Sequence, residues 1–274
     1  MSTVQFIQRP EGRVAYTVDG PADGRLVVLV PGMGDLRSTW RELVGPLVDA
    51  GYRVAVTDLR GHGDSDTTFR THGDIATAAD VLALVDALGG GPAVLVGNSM
   101  GAASVAYATA ERPDAVAALV LTGPLLRNPS SGAAARLLYP LLFARPWGAA
   151  LWTSYYRGTL NRGRKAPWLE EHIAAIGASM REPAHLAQFR SLTMQLTHAP
   201  VTPRLPEIHV PMLAFVGRRD PDYHDPVAEA AWLEEIGARV ELLDDVAHYP
   251  QHQAPEVVVP AVLDFLAALP AQDR

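Results

Sequence analysis

A run of strand-type residues at 93–96 enters Gly97, and a run of small and apolar residues of helical type leaves after Gly101. Between them stands Gly97-Asn98-Ser99-Met100-Gly101, a Gly-x-Ser-x-Gly turn. A chain that passes from strand to helix in so few residues bends sharply, and the serine at the apex takes a strained backbone. Side chains at Gly97 and Gly101 would collide with the neighbouring strand and helix, which accounts for glycine at both. The turn thrusts the Ser99 hydroxyl out above the sheet. The helix that begins there aims its positive end at the place where negative charge will develop.

The rest of the chain supplies the sheet. Eight stretches read as strands: 4–7, 13–18, 26–30, 53–57, 93–96, 116–121, 212–216 and 239–243. The run Leu26-Val27-Val28-Leu29-Val30 is continuously apolar, as in a parallel strand buried on both faces. Helical spacing follows at 38–50, 74–88, 102–111, 226–236 and 255–268. This rhythm predicts an α/β fold: a mostly parallel eight-stranded sheet with helices on both faces. It breaks between about 124 and 207, where no β-branched strand occurs and helical stretches at 132–144, 147–158, 168–180 and 184–196 replace it. The expected organisation is a core of 1–123 and 208–274 with a helical cap of 124–207.

A serine hydroxyl is a poor nucleophile unless a base lies within hydrogen-bond reach and an acid orients that base. In an open parallel sheet such partners sit at the carboxyl ends of strands. Asp220, directly after the strand ending at Val216, is the candidate acid, with Asp222 and Asp225 as neighbours that could take its place. His248, shortly after the last strand, is the candidate base. His252 is its local rival. His62 also follows a strand end, where a turn role between Gly61 and Gly63 is the simpler reading. The candidate oxyanion donors are the backbone N–H of Met100, next to the serine, and of Met33, in the loop Pro31-Gly32-Met33-Gly34.

These pieces, with Asp58-Leu59-Arg60-Gly61-His62-Gly63 and the order Ser, Asp, His, resemble the α/β-hydrolase superfamily over almost the whole chain. The insertion falls where that family places its cap. The resemblance implies serine-hydrolase chemistry through an acyl-enzyme. Many members carry His-Gly at the oxyanion loop; Pro31-Gly32 here keeps the backbone donor and loses that side chain. An aspartate nucleophile would indicate haloalkane dehalogenases or epoxide hydrolases, and Ser99 stands in its place.

Composition bounds the rest. The net charge of −7 argues against a general nucleic-acid binder, and the absence of cysteine excludes disulfides and thiolate metal sites. No His or carboxylate pair shows metal-ligand spacing, and no cofactor is expected. No membrane span or signal-peptide pattern is visible, so a cytoplasmic protein is expected. The cap holds ten basic and four acidic residues. Solvated helix faces or attraction for a carboxylated substrate would each explain that balance. Its aromatic residues, Tyr139, Phe143, Trp147, Trp152, Tyr155, Tyr156, Trp168 and Phe189, fit an apolar substrate pocket, the cap's own core or a homodimer contact. The expected activity is hydrolysis of a small to medium, fairly apolar ester, lactone or thioester. Carbon–carbon bond hydrolysis, perhydrolysis, acyl transfer and a biosynthetic tailoring reaction use the same residues. A ligand receptor with slow turnover is the alternative from outside the enzymes.

Overall fold

The computed structural model describes residues 3–128 and 139–270. Its eight strands are β1 (Gln5–Arg9), β2 (Gly12–Asp19), β3 (Leu26–Val30), β4 (Arg53–Thr57), β5 (Ala93–Asn98), β6 (Val116–Thr122), β7 (Met212–Gly217) and β8 (Ala238–Leu243). They form one sheet in the order β1-β2-β4-β3-β5-β6-β7-β8. Only β2 runs antiparallel to its neighbours; from β4 to β8 every pairing is parallel. The carboxyl ends of β3 to β8 therefore lie along one edge, and the loops that leave them gather there.

The central strands are buried on both faces because helices cover both. On one face α2 (Asp74–Leu88), α3 (Met100–Glu111) and α8 (Pro226–Glu235) pack on Leu26, Val28, Val30 and Leu95. On the other, α1 (Arg41–Asp49) and α10 (Pro255–Ala267) pack on Val27, Leu29, Val94 and Val96. A continuously apolar strand is thus read by two separate cores, its alternate side chains going to each. The helix expected from residue 38 begins as a single 3-10 turn, Arg37–Trp40, before α1. The short helix α9 (Pro250–Gln253), just after His248, was not signalled by periodicity because it lasts one turn.

Between β6 and β7 lie α4 (Tyr139–Leu142), α5 (Gly148–Tyr155), α6 (Leu169–Arg181) and α7 (Pro183–Gln195). Most of the expected helix at 132–144 lies outside the described residues, as do Arg136, Leu137 and Leu138. The helix expected over 147–158 changes character at Tyr156. A π turn, Tyr156–Leu160, follows α5, and the Tyr156 carbonyl accepts both the main-chain N–H of Asn161 at 3.1 Å and its side-chain amide at 3.0 Å. The aromatic residues divide. Phe143, Trp152, Tyr156 and Phe189 are buried in one cluster with Ile173, Ile176 and Met180 and with Tyr249, which follows β8, whereas Trp147 and Tyr155 are exposed. The basic residues divide too. Arg127, Arg157, Arg164 and Arg204 are held by carboxylates, which favours structural and solvated roles for them. Among the described residues no helix is long and apolar enough to cross a membrane.

Candidate active site

Ser99 sits between β5 and α3 with φ +56° and ψ −121°, a left-handed backbone that non-glycine residues avoid. The glycines on either side are required by close approach. A Cβ on Gly97 would lie 2.5 Å from the Gly101 carbonyl group, and one on Gly101 would lie 2.6 Å from the carbonyl oxygens of Val30 and Pro31. Met100 opens α3, where main-chain N–H groups have no acceptor within the helix. The candidate oxyanion loop is equally close. A Cβ on Gly32 would come within 2.9 Å of the side chains of both Asn98 and Ser99. Met33 follows directly, packed against the cluster of Trp152 and Phe189.

His248 and Asp220 meet although 28 residues separate them: Nδ1 of the imidazole lies 2.8 Å from Asp220 Oδ2, with both residues buried. Nδ1 donates to the carboxylate, so Nε2 is the nitrogen left for a substrate or for Ser99. The described residues show no Ser99–His248 hydrogen bond. Such contacts are looser without substrate and tighten in the reacting complex. Asp222 lies 3.5 Å from the same Nδ1 and donates its own N–H to Asp220 Oδ1 at 2.9 Å. Asp225 is placed elsewhere: its carboxylate caps α8, accepting from Val227 N and Ala228 N. Burial alone would pull the imidazole pKa down, but the charges of Asp220 and Asp222 outweigh it and hold His248 at about 9. Asp220, Asp222 and His248 also bring one ligand atom each within 4.8 Å of one another, a cluster that residue spacing in the chain does not display.

The rival histidines have other partners. His252 is buried, with Nε2 2.7 Å from Asn161 Oδ1 and its ring stacked on Tyr249. Burial lowers its pKa to about 3. His62 Nδ1 is 2.9 Å from the Arg60 carbonyl, which can only accept. The proton is therefore on Nδ1, and Nε2 accepts the main-chain N–H of Gly34 at 3.2 Å. Burial lowers the His62 pKa to about 4, which keeps that lone pair free. The reading of His62 as a turn residue is thus incomplete, because it also holds Gly34 of the candidate oxyanion loop. Two further residues escaped the sequence reading. Gln253 Oε1 accepts the N–H groups of Ala247 and Tyr249, on either side of His248, while its amide donates to Arg162 and Arg164 carbonyls in the insertion. Asn98 ties β5 to β6 and to His248 through two carbonyls. Its place inside the serine motif was the only available signal.

A model of the alpha/beta hydrolase family matches residues 27–261. The chain belongs to the α/β-hydrolase family. A 2-hydroxy-6-oxo-6-phenylhexa-2,4-dienoate hydrolase of Comamonas testosteroni is 30% identical over 259 residues, covering 89% of this chain and 88% of the relative. Lipase LipV of Mycobacterium tuberculosis is 30% identical over 258 residues, covering 87% and 92%. Among solved structures, the enol-lactonase from Burkholderia xenovorans superposes with a TM-score of 0.76 at 23% identity, covering 96% of this chain and 100% of the other. That likeness shows the fold alone. The α/β-hydrolase membership agrees with the sheet order and with the motif at Ser99.

Proposed function

We propose that this α/β hydrolase cleaves small to medium, fairly apolar carboxylic esters, lactones or thioesters through an acyl-enzyme. Ser99 Oγ attacks the carbonyl carbon as His248 Nε2 takes its proton. The N–H groups of Met33 and Met100 receive the oxyanion. Collapse of the tetrahedral intermediate breaks the bond to the leaving group, which takes the proton from His248. Water, deprotonated by the same imidazole, attacks the acyl carbon; the bond to Ser99 Oγ then breaks, Oγ takes the proton back from His248, and the acid leaves. Asp220 holds the tautomer and stabilises the imidazolium. The division into a core and a cap of 124–207 belongs to the same proposal, with the cap roofing the site. No step calls for a cofactor or metal.

The observation that carries this reading is the buried 2.8 Å Asp220–His248 contact beside a strained Ser99. A second reading, hydrolysis of a carbon–carbon bond in a carboxylated substrate, has one specific support: the Comamonas testosteroni relative is named for a dienoate substrate.

Fluorophosphonate labelling followed by turnover of p-nitrophenyl esters tests the proposal. Ser99→Ala is expected to abolish labelling and to lower kcat by roughly four to six orders of magnitude. Near-wild-type turnover in that variant overturns the mechanism. Labelling of wild type without turnover points instead to a receptor.

A further inference from the structure

Asp35 is the residue next to the oxyanion loop Pro31-Gly32-Met33-Gly34, and its carboxylate is wholly buried. Neither the serine motif nor the Asp220–His248 pair uses it. A carboxylate taken out of water costs several kcal/mol unless its lone pairs are filled, so its partners are informative. His172 Nε2 lies 2.6 Å from Oδ1, the Tyr156 hydroxyl donates to Oδ2 at 3.1 Å, and Leu36 N–H donates to Oδ1 at 2.7 Å. Ser38 Oγ fixes the other nitrogen of His172 at 2.9 Å. Burial pushes the Asp35 carboxyl up, but the His172 charge and these hydrogen bonds bring it below its ordinary value.

Two of these partners, His172 on α6 and Tyr156 on the π turn, belong to the insertion. A third insertion residue acts one position earlier: Trp152 Nε1 donates to the Gly34 carbonyl at 2.9 Å. The Gly34 N–H is held by His62, and the Asp35 N–H closes back on the Gly32 carbonyl at 3.3 Å. The peptide groups on both sides of Gly34 therefore have their direction set by side chains. Met33, whose N–H is the proposed donor, is bonded to one of those peptide groups. Apolar packing alone would tolerate sliding of this loop; directional bonds to a buried charge do not.

We infer that Asp35 is a positioning residue, through which His172 and Tyr156 of the helical insertion hold the Met33 N–H in register with Ser99. The insertion is then part of the catalytic geometry as well as a roof over it. The inference rests on the serine-hydrolase reading.

The test compares Asp35→Asn and Tyr156→Phe with wild type on a p-nitrophenyl ester that wild type turns over and Ser99→Ala does not. One oxyanion donor is worth roughly 10²–10³ in kcat. Partial misplacement by Asp35→Asn is expected to lower kcat about 10- to 100-fold, with KM within about threefold. Affinity for a boronic acid, which forms a tetrahedral adduct, should fall in parallel. Tyr156→Phe keeps the charge and ring and should fall between wild type and Asp35→Asn. It also serves if Asp35→Asn fails to fold. Adding His172→Gln to Asp35→Asn should cost little more, because both act through one contact. Folded variants with kcat within twofold of wild type, or a loss confined to KM, overturn this inference and leave the hydrolase reading intact. An inert wild type overturns both.

Discussion

The side-chain amide of Asn98 donates to the main-chain carbonyl of His248 at 3.1 Å, 150 residues away, and to the Thr122 carbonyl at 2.9 Å. Asn98 is the residue before Ser99. One side chain thus fixes the spacing between the loop of the candidate nucleophile and the loop of the candidate base. Ser99 N–H adds a bond to the same Thr122 carbonyl at 3.0 Å, so the ends of β5 and β6 and the loop of His248 share one junction.

The junction makes a prediction. Asn98→Ala removes two buried hydrogen bonds and leaves two carbonyls without this donor, at a cost of about 1–3 kcal/mol. Asn98→Asp at neutral pH would set an anionic acceptor against both carbonyls and should cost more. Urea denaturation measures both, and equal stability of the two variants would contradict the donor role. The kcat of each should fall with KM nearly unchanged, because the loop carrying the candidate base is what shifts.

A second prediction concerns pH. The imidazole of His248 is held at about 9 chiefly against burial by Asp220 and Asp222. A raised pKa keeps the proton on, so the free base grows as pH rises, and kcat/KM should climb through an alkaline limb above the ordinary histidine range. Asp222→Asn removes one of the two charges and leaves the direct Asp220 contact. Its limb should move to lower pH; a displacement of one unit raises the base fraction at pH 7 about tenfold. A limb that stays in place would show that Asp222 does not act on His248.

What the chain disclosed by itself follows from range. Strands β3 to β7 were legible because burial on both faces leaves continuous apolar runs, and the elbow because Gly97 answers to sterics within five residues, against Gly101. Asp220 and His248 were reachable because strand ends say where loops gather. The wiring among loops was not legible. Nothing near His62 in sequence announces Gly34, 28 residues earlier, and nothing near Asp35 announces His172, 137 residues later. Asp225 and Asp222 look alike in a Pro-rich loop until α8 claims one as its cap. Apolar periodicity reports which way a helix faces, but an aromatic residue such as Trp152 satisfies core, pocket and interface patterns alike.

A third prediction follows from the buried neutral imidazoles. Burial lowers His252 to about 3 and His62 to about 4, while the unfolded chain binds a proton at about 6.5. Between those values the unfolded state holds more protons, so stability rises with pH. The contribution is complete above pH 6.5 and is lost as pH falls toward the folded values, at about 1.4 kcal/mol per unit for each imidazole. Buried carboxylates also titrate in acid, so the difference between proteins is the quantity to read. His252→Gln retains a donor for Asn161 and removes one titrating group. Its deficit against wild type at pH 7 should narrow by about 2 kcal/mol at pH 5, measured by urea denaturation at each pH. A deficit that is constant with pH would mean that the folded protein does not hold His252 neutral.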